Sequence, residues 1–203
     1  MSPFVSEAGH VKPHRAFDPR RLGELETDAW VGYYRREWPK VLRASLGLTR
    51  HMFGMSWPAT LRGAWLVLRA NQQWAPSPDN DPDRARQTME RFYGLVRRYH
   101  SERFDPARAA ELEVEWWRVH RANQHGTGAE EAELIDALAA LYAYVYGAPS
   151  EEVRMAAEQR ALAMRHSDRW VQEGRDLGSG LIDEERAALV RSYAALLAAV
   201  HHP

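Results

Sequence analysis

Two segments of the chain carry acidic and aromatic side chains at the same spacing of i, i+4 and i+7: Glu26, Trp30 and Tyr33 in one, and Glu113, Trp117 and His120 in the other. In an α-helix this spacing places each trio along one face. Carboxylates and an imidazole that project inward from a helical bundle are the ligands of a non-haem iron or manganese site. One hypothesis is therefore a metal-dependent, oxidase-like enzyme whose ligands are Glu26, Glu113, His120 and His51.

The spacing of Glu113 and His120 resembles a ligand pair on one helix of the haem-oxygenase-like di-iron proteins. The resemblance implies a carboxylate and histidine site that other helices complete, and His166 and Asp168 are available for that role. The predicted helices contain no Glu-x-x-His pair, which would make the pattern specific. In the structural alternative each Glu accepts hydrogen bonds from a Trp indole, a Tyr hydroxyl or an Arg of the other segment, and forms a clasp.

Eight tryptophans are many for 203 residues, and most are expected in the core. Neighbouring helix positions diverge by about 100°, so the rings of Trp116 and Trp117 point in different directions and one of them could face a partner. Because Trp, Tyr and Arg are enriched at interfaces, the candidate contacts for a ligand or partner are Trp30, Tyr33, Trp116, Trp117 and Arg121. The leading hypothesis is a binding module for a protein or a small molecule, with a homodimer as one expected form.

The two trios belong to a longer internal similarity. FDPRRLGELETDAWVGYY from Phe17 and FDPARAAELEVEWWRVHR from Phe104 share eight of eighteen positions at an offset of 87. Fainter similarity continues between HMFG and YVYG, and between DPDRA…RFYGLV and DEERA…RSYAALL. This indicates two duplicated units, 17–103 and 104–203, that share one core about a pseudo-two-fold axis, preceded by a flexible arm over 1–16.

Helical periodicity and start signals predict an all-α fold, a single compact bundle of about eight helices with four in each unit. Asp-Pro begins three of the segments, where Asp caps the first turn and Pro loses no needed donor. The stripe Leu61, Trp65 and Leu68 is expected to face inward. The predicted helices cover 18–36, 39–53, 57–74, 81–100, 105–124, 129–146, 150–173 and 182–201.

Composition narrows the function classes. The net charge of −1 provides no positive electrostatic field that would attract nucleic acid or an anionic membrane. A helix-turn-helix regulator is a third hypothesis, which the lack of a basic recognition helix disfavours. Neither a secretion signal nor an apolar run long enough to span a membrane is present. Without Cys, thiolate chemistry is excluded, and we expect a cytoplasmic protein. The preference for Arg over Lys suggests a bacterial source.

Overall fold

The computed structural model describes residues 16–126 and 130–201, and within these residues all regular structure is helical. The helices are α1 (Pro19–Tyr34), α2 (Trp38–Phe53), α3 (Trp57–Trp74), α4 (Pro82–His100), α5 (Pro106–Gln124), α6 (Glu131–Tyr146), α7 (Ser150–Gln172) and α8 (Leu181–His201). The predicted all-α class is confirmed, and each boundary lies within about two residues of the prediction. The predicted arm over 1–16 lies outside the described residues except for Ala16. In the described ranges, no helix has the length and apolar character needed to cross a membrane.

Local chemistry sets the ends of the helices. Asp18 accepts a hydrogen bond from the backbone N of Arg20 at 2.9 Å, and Asp105 accepts one from the backbone N of Ala107 at 3.2 Å. Both caps are followed by Pro at the first helical position, as the sequence predicts. At the other end, α2 and α6 stop at Gly54 and Gly147, whose φ of 57° and 65° suits a residue without a Cβ.

The helices pack in a closed cycle. Each helix contacts the next one along the chain, and α8 contacts α1, so the first and last helices join. Short connections make neighbouring helices antiparallel, which brings the C-terminal ends of α1, α3, α5 and α7 to one end of the bundle. Hydrogen bonds between these ends are consistent with this arrangement. The side chains of Arg36, just after α1, and Arg121, near the end of α5, donate to the backbone carbonyls of Ala75 and Trp74 at the end of α3, respectively. The main hydrophobic core takes buried side chains from all eight helices.

The inward face of α3 is made mostly of small side chains. A Cβ added to Gly63 would lie 2.9 Å from Cγ2 of Thr49, so this helix lies too close to α2 for larger residues at that position. Leu68 is buried as predicted, but the prediction was wrong for Leu61 and Trp65, each of which is 55% exposed. Small residues make up most of the buried face, together with Leu68 and Trp74, whereas Trp57, Leu61 and Trp65 are turned outward.

Candidate functional site

The predicted carboxylate Glu26 is buried in the interior, where α1, α7 and α8 meet. It forms an ion pair with Arg160 of α7, and Nη1 of Arg160 lies 3.2 Å from its Oε2. Tyr193 of α8 donates a hydrogen bond to the same oxygen. Arg160 also donates to the hydroxyl of Tyr142 at 3.2 Å. Both oxygens of Glu26 therefore have strong donors from other helices.

Glu113 has a similar environment without an ion pair of its own. Tyr93 of α4 donates a hydrogen bond to its Oε2 at 2.7 Å, and the indole of Trp117 donates to its Oε1 at 3.2 Å. Burial raises the pKa of Glu113, while the Tyr93 hydroxyl and the charge of Arg160 oppose the increase. The second predicted carboxylate is thus more easily protonated than an ordinary Glu.

Arg160 is the cation between these two carboxylates. Its guanidinium carbon lies 5.4 Å from the ring centroid of Trp116 and 5.8 Å from that of Trp30. Burial opposes the charge, but Glu26 and the surrounding tyrosines raise the pKa of Arg160 further, so the guanidinium stays protonated. The arrangement is a buried cation enclosed by aromatic rings and acidic groups.

The two carboxylates have matching aromatic neighbours. Tyr193, which binds Glu26, meets Phe17 edge to face with centroids 5.9 Å apart. Tyr93, which binds Glu113, meets Phe104 edge to face, also at 5.9 Å. Each acid is therefore held by a Tyr that is itself packed against the Phe preceding the helix of that acid.

His120 belongs to a separate polar cluster, nearer the C-terminal ends of α1, α5 and α7. Its Nε2 lies 3.1 Å from Oδ2 of the buried Asp168, and Gln124 donates to Oδ1 of that carboxylate at 2.6 Å. The Tyr34 hydroxyl donates to the same oxygen at 3.4 Å. Burial, together with the charge of Asp168, raises the pKa of Tyr34 well above its usual value. Sequence reasoning named Asp168 as an additional ligand, but the structure places it as the partner of His120.

The predicted metal ligands are not brought together. Glu26 and Glu113 are engaged as described above, His120 pairs with Asp168, and His51 is exposed on α2. Among the described residues there is no group of three His, Asp or Glu side chains that could hold a metal ion. A cation binding at Glu26 would have to displace a guanidinium that already neutralises the carboxylate.

The predicted binding residues lie mostly inside the protein. Trp116 and Trp117 are both buried and meet edge to face, and Trp30 is partly buried against the core. Arg121 stacks on Trp74, with its guanidinium carbon 4.2 Å from the ring centroid. Burial raises the pKa of Tyr33, and the neighbouring Arg121 opposes the increase. These residues form internal contacts, and they present little aromatic surface to a partner.

The exposed aromatic surface lies instead on α3. Trp57, Leu61 and Trp65 stand at i, i+4 and i+8 and are 62%, 55% and 55% exposed. We call these three residues the α3 ridge. Scattered exposed apolar residues are normal, whereas these three large ones form one exposed apolar row. The i, i+4 and i+8 spacing of these residues can be read from the sequence. Their outward direction cannot, because it depends on the close packing of small residues on the opposite face of α3.

The α3 ridge lies within a span that has no acidic residue. Residues 38–78 contain Lys40, Arg43, Arg50, Arg62 and Arg69 but neither Asp nor Glu, although the whole chain has a net charge of −1. Arg50 lies over the ring of Trp57, with its guanidinium carbon 5.4 Å from the centroid. Arg62 and Arg69 are exposed on α3 itself. The ridge is therefore an apolar row with cations beside it.

A shallow groove of about 670 Å³ borders this region between α1, α2 and the segment leading into α8. Its wall includes four cations, Arg21, Lys40, Arg43 and Arg186, and among the described residues all but Arg43 form an ion pair, with Glu24, Glu37 and Asp183, respectively. Local ion pairs therefore reduce the charge available to a ligand. Comparison with known proteins gave no match among family models, curated proteins or solved structures.

Proposed function

We propose that this protein is a docking module that binds an acidic helical segment of a partner protein through the α3 ridge. The observation that carries the proposal is the exposed row Trp57, Leu61 and Trp65 within a span that has five cations and no carboxylate. Trp and Arg are the residues that contribute most binding energy at protein interfaces. Burial of these three side chains by a partner would be strongly favourable.

The shape of the ridge favours a helix as the bound element. Residues at i, i+4 and i+8 form one of the ridges that pack into the groove between side chains of another helix. The row is about 12 Å long, from the rise of 1.5 Å per residue, which suits a short helical segment. A membrane-surface helix presents a broad apolar face, whereas α3 presents a single row with the exposed cations Arg62 and Arg69 beside it.

The charge of the region defines the partner chemistry. Like charges facing each other across an interface cost free energy, whereas opposite charges direct association and orientation. Glu37 pairs with Lys40, but residues 38–78 contain no carboxylate to neutralise Arg43, Arg50, Arg62 and Arg69, so an acidic partner is attracted to this region and a basic one is repelled. We therefore expect a partner helix with an apolar row flanked by Asp or Glu.

We also infer that the chain arose by duplication, with 17–103 and 104–203 as its two units. Support comes from the shared sequence of the two opening helices and from the matching Phe, Tyr and Glu trios around Glu26 and Glu113. On this basis α3 and α7 are equivalent helices, and only α3 carries the aromatic ridge.

The test measures binding of a synthetic acidic amphipathic peptide, with Leu at i and i+4 and flanking Glu, by fluorescence anisotropy. We expect Trp57→Ala/Trp65→Ala to weaken binding by about a hundredfold or more, since two central hot-spot residues contribute several kcal/mol. Leu177→Ala is the matched control, because Leu177 is also 55% exposed but lies on the wall of the groove and not in the α3 ridge. Added salt should weaken binding of the wild-type protein.

Two outcomes would overturn the proposal. One is equal binding of a basic peptide of the same apolar pattern. The other is failure to bind the acidic peptide together with Trp57-dependent binding to phosphatidylserine vesicles, which would assign the ridge to a lipid surface. Circular dichroism of the double variant establishes that the fold is intact.

A further inference from the structure

The helix pair α6–α7 has the opposite charge to the pair α2–α3. Residues 130–172, which cover both helices, contain eight carboxylates against four arginines: Glu130, Glu131, Glu133, Asp136, Glu151, Glu152, Glu158 and Asp168, with Arg154, Arg160, Arg165 and Arg169. The basic span 38–78 occupies the corresponding place in the first half of the chain. One molecule therefore carries both a cationic and an anionic helix pair.

The acidic region also offers an apolar contact. Met155 on α7 is 64% exposed, and exposed carboxylates lie one helical turn away at Glu151, Glu152 and Glu158. Arg154 is nearby and is paired with Asp136 at 2.8 Å and with Glu158 at 3.5 Å, so of these three carboxylates Glu151 and Glu152 are the ones without an ion pair among the described residues. We call Met155 with Glu151, Glu152 and Glu158 the α7 face. A flexible thioether surrounded by acids is complementary to a row of Trp and Leu flanked by Arg.

The two surfaces lie on different sides of the molecule. Around the closed cycle of contacts, α3 and α7 are four helices apart in either direction. One molecule cannot bring its own α3 ridge onto its own α7 face, but two molecules can meet through them. A symmetric dimer through the ridge alone would place Arg62 and Arg69 of one molecule against those of the other, which like-charge repulsion disfavours.

We propose that the partner of the α3 ridge is the α7 face of a second copy of this chain, so that the protein associates head to tail. The inference rests on the proposed docking function and names its partner. Each added molecule leaves one ridge and one face unoccupied, so association continues as an open chain or closes into a ring. Assembly grows with protein concentration and weakens with salt.

Mixing two defective variants tests the head-to-tail arrangement. The ridge variant Leu61→Ala/Trp65→Ala keeps an intact α7 face, and the face variant Glu152→Lys/Glu158→Lys keeps an intact ridge; all four positions are exposed. In sedimentation velocity at low salt, the wild-type protein should form species larger than dimers as concentration rises. Each variant alone should remain monomeric, and an equimolar mixture should form a 1:1 dimer that grows no further.

The possible failures separate this inference from the proposed function. A wild-type protein that stays monomeric at high concentration but binds the acidic peptide through Trp57 and Trp65 overturns the inference alone. A dimer that grows no further and is unaffected by Glu152→Lys/Glu158→Lys also overturns it, because the ridge would then contact another surface. A wild-type protein that neither binds the acidic peptide nor associates with itself would overturn the proposed docking function as well.

Discussion

The guanidinium of Arg160 lies against the carboxylate of Glu26 inside the helical bundle, although the two residues are 134 positions apart in the chain. The pair joins α7 to α1. Both side chains are largely buried, so water cannot replace either partner as a source of compensating interactions. Attraction within such a pair is offset by the cost of removing two charges from water. The importance of the pair for stability is therefore measured most clearly by a substitution that removes one partner and leaves the other charge buried.

We expect Arg160→Met to lower the free energy of unfolding by about 3–5 kcal/mol, because Glu26 is left buried without its counter-ion. The double variant Glu26→Gln/Arg160→Met should recover part of the loss. Urea unfolding followed by circular dichroism measures both. Arg154→Met is the control, since its exposed pair with Asp136 contributes less than about 1 kcal/mol. Equal losses for Arg154→Met and Arg160→Met would contradict the buried-pair assignment.

The Tyr93 hydroxyl contributes a charge-assisted hydrogen bond to Glu113. Tyr93→Phe keeps the ring packed against Phe104 and removes only the donor, so we expect a loss of about 1.5–3 kcal/mol. Tyr193→Phe, the matched change at Glu26, should cost less because Arg160 still binds that carboxylate. Thermal or urea unfolding of the two variants side by side gives the comparison. A larger effect at Tyr193 would mean that the tyrosine, and not Arg160, is the main partner of Glu26.

Glu185 on α8 gives the protein a specific pH dependence. Its side chain is 0% exposed, and neither carboxyl oxygen makes a well-formed hydrogen bond within the described part of the chain. Burial, with the charge of Glu26 adding to it, raises the pKa of Glu185 to about 9, and the nearby Ser167 hydroxyl partly offsets the increase. At pH values between about 4.3, the pKa of Glu185 in the unfolded state, and about 9, Glu185 is protonated in the folded state but ionised in the unfolded state.

The stability contribution of Glu185 therefore falls by about 1.4 kcal/mol per pH unit as the pH rises from roughly 4.3 towards 9. We expect Glu185→Gln, which cannot ionise, to gain stability relative to the wild-type protein at pH 8 and to lose most of that advantage at pH 5. Urea unfolding at both pH values measures the difference. The exposed Glu133→Gln serves as control. Parallel pH profiles for Glu185→Gln and wild type would show that Glu185 ionises normally in the folded state.

Local features of this fold could be predicted from the sequence, because they depend on neighbouring residues. Asp18 and Asp105 cap their helices through the first-turn amides, and Gly54 and Gly147 end theirs. The structural alternative predicted an Arg or a Tyr of the other segment as the partner of Glu26, but the particular residues Arg160 and Tyr193 could not be predicted, since they require knowing that α1 lies beside both α7 and α8. The repeat did hold a signal, because Tyr93 and Tyr193 occupy matching positions in RFYGLV and RSYAALL.

The orientation of α3 shows why Leu61 and Trp65 were predicted on the wrong face of the helix. Large apolar side chains normally identify the buried face of a helix, and this rule assigned Leu61 and Trp65 to the core. In this helix the side chains buried beside Leu61 and Trp65 are mostly small, so close packing and not side-chain size decides which face is inside: the buried residues are Thr60, Gly63, Ala64, Leu68, Ala70 and Trp74. Trp116 and Trp117 differ from the sequence-based expectation in the opposite direction. One of the two rings could have faced a partner, but both are buried.

The closure of the helical cycle depends on a close contact between α1 and α8. A Cβ added to Gly23 would lie 2.6 Å from Cγ2 of Val190 and 2.9 Å from the backbone nitrogen of the same residue. Because the backbone nitrogen cannot move aside as a side chain can, we expect Gly23→Ala to lower the free energy of unfolding by about 1–3 kcal/mol.

Gly94→Ala is the matched control for this prediction. Gly94 also lies inside a helix, but nothing is within 4 Å of a Cβ added there. Ala is favoured over Gly in a helix interior, so this variant should gain about 0.5–1 kcal/mol. Urea unfolding of the two variants should therefore show changes of opposite sign. A gain for both would mean that α1 and α8 are further apart than the packing of Gly23 on Val190 requires.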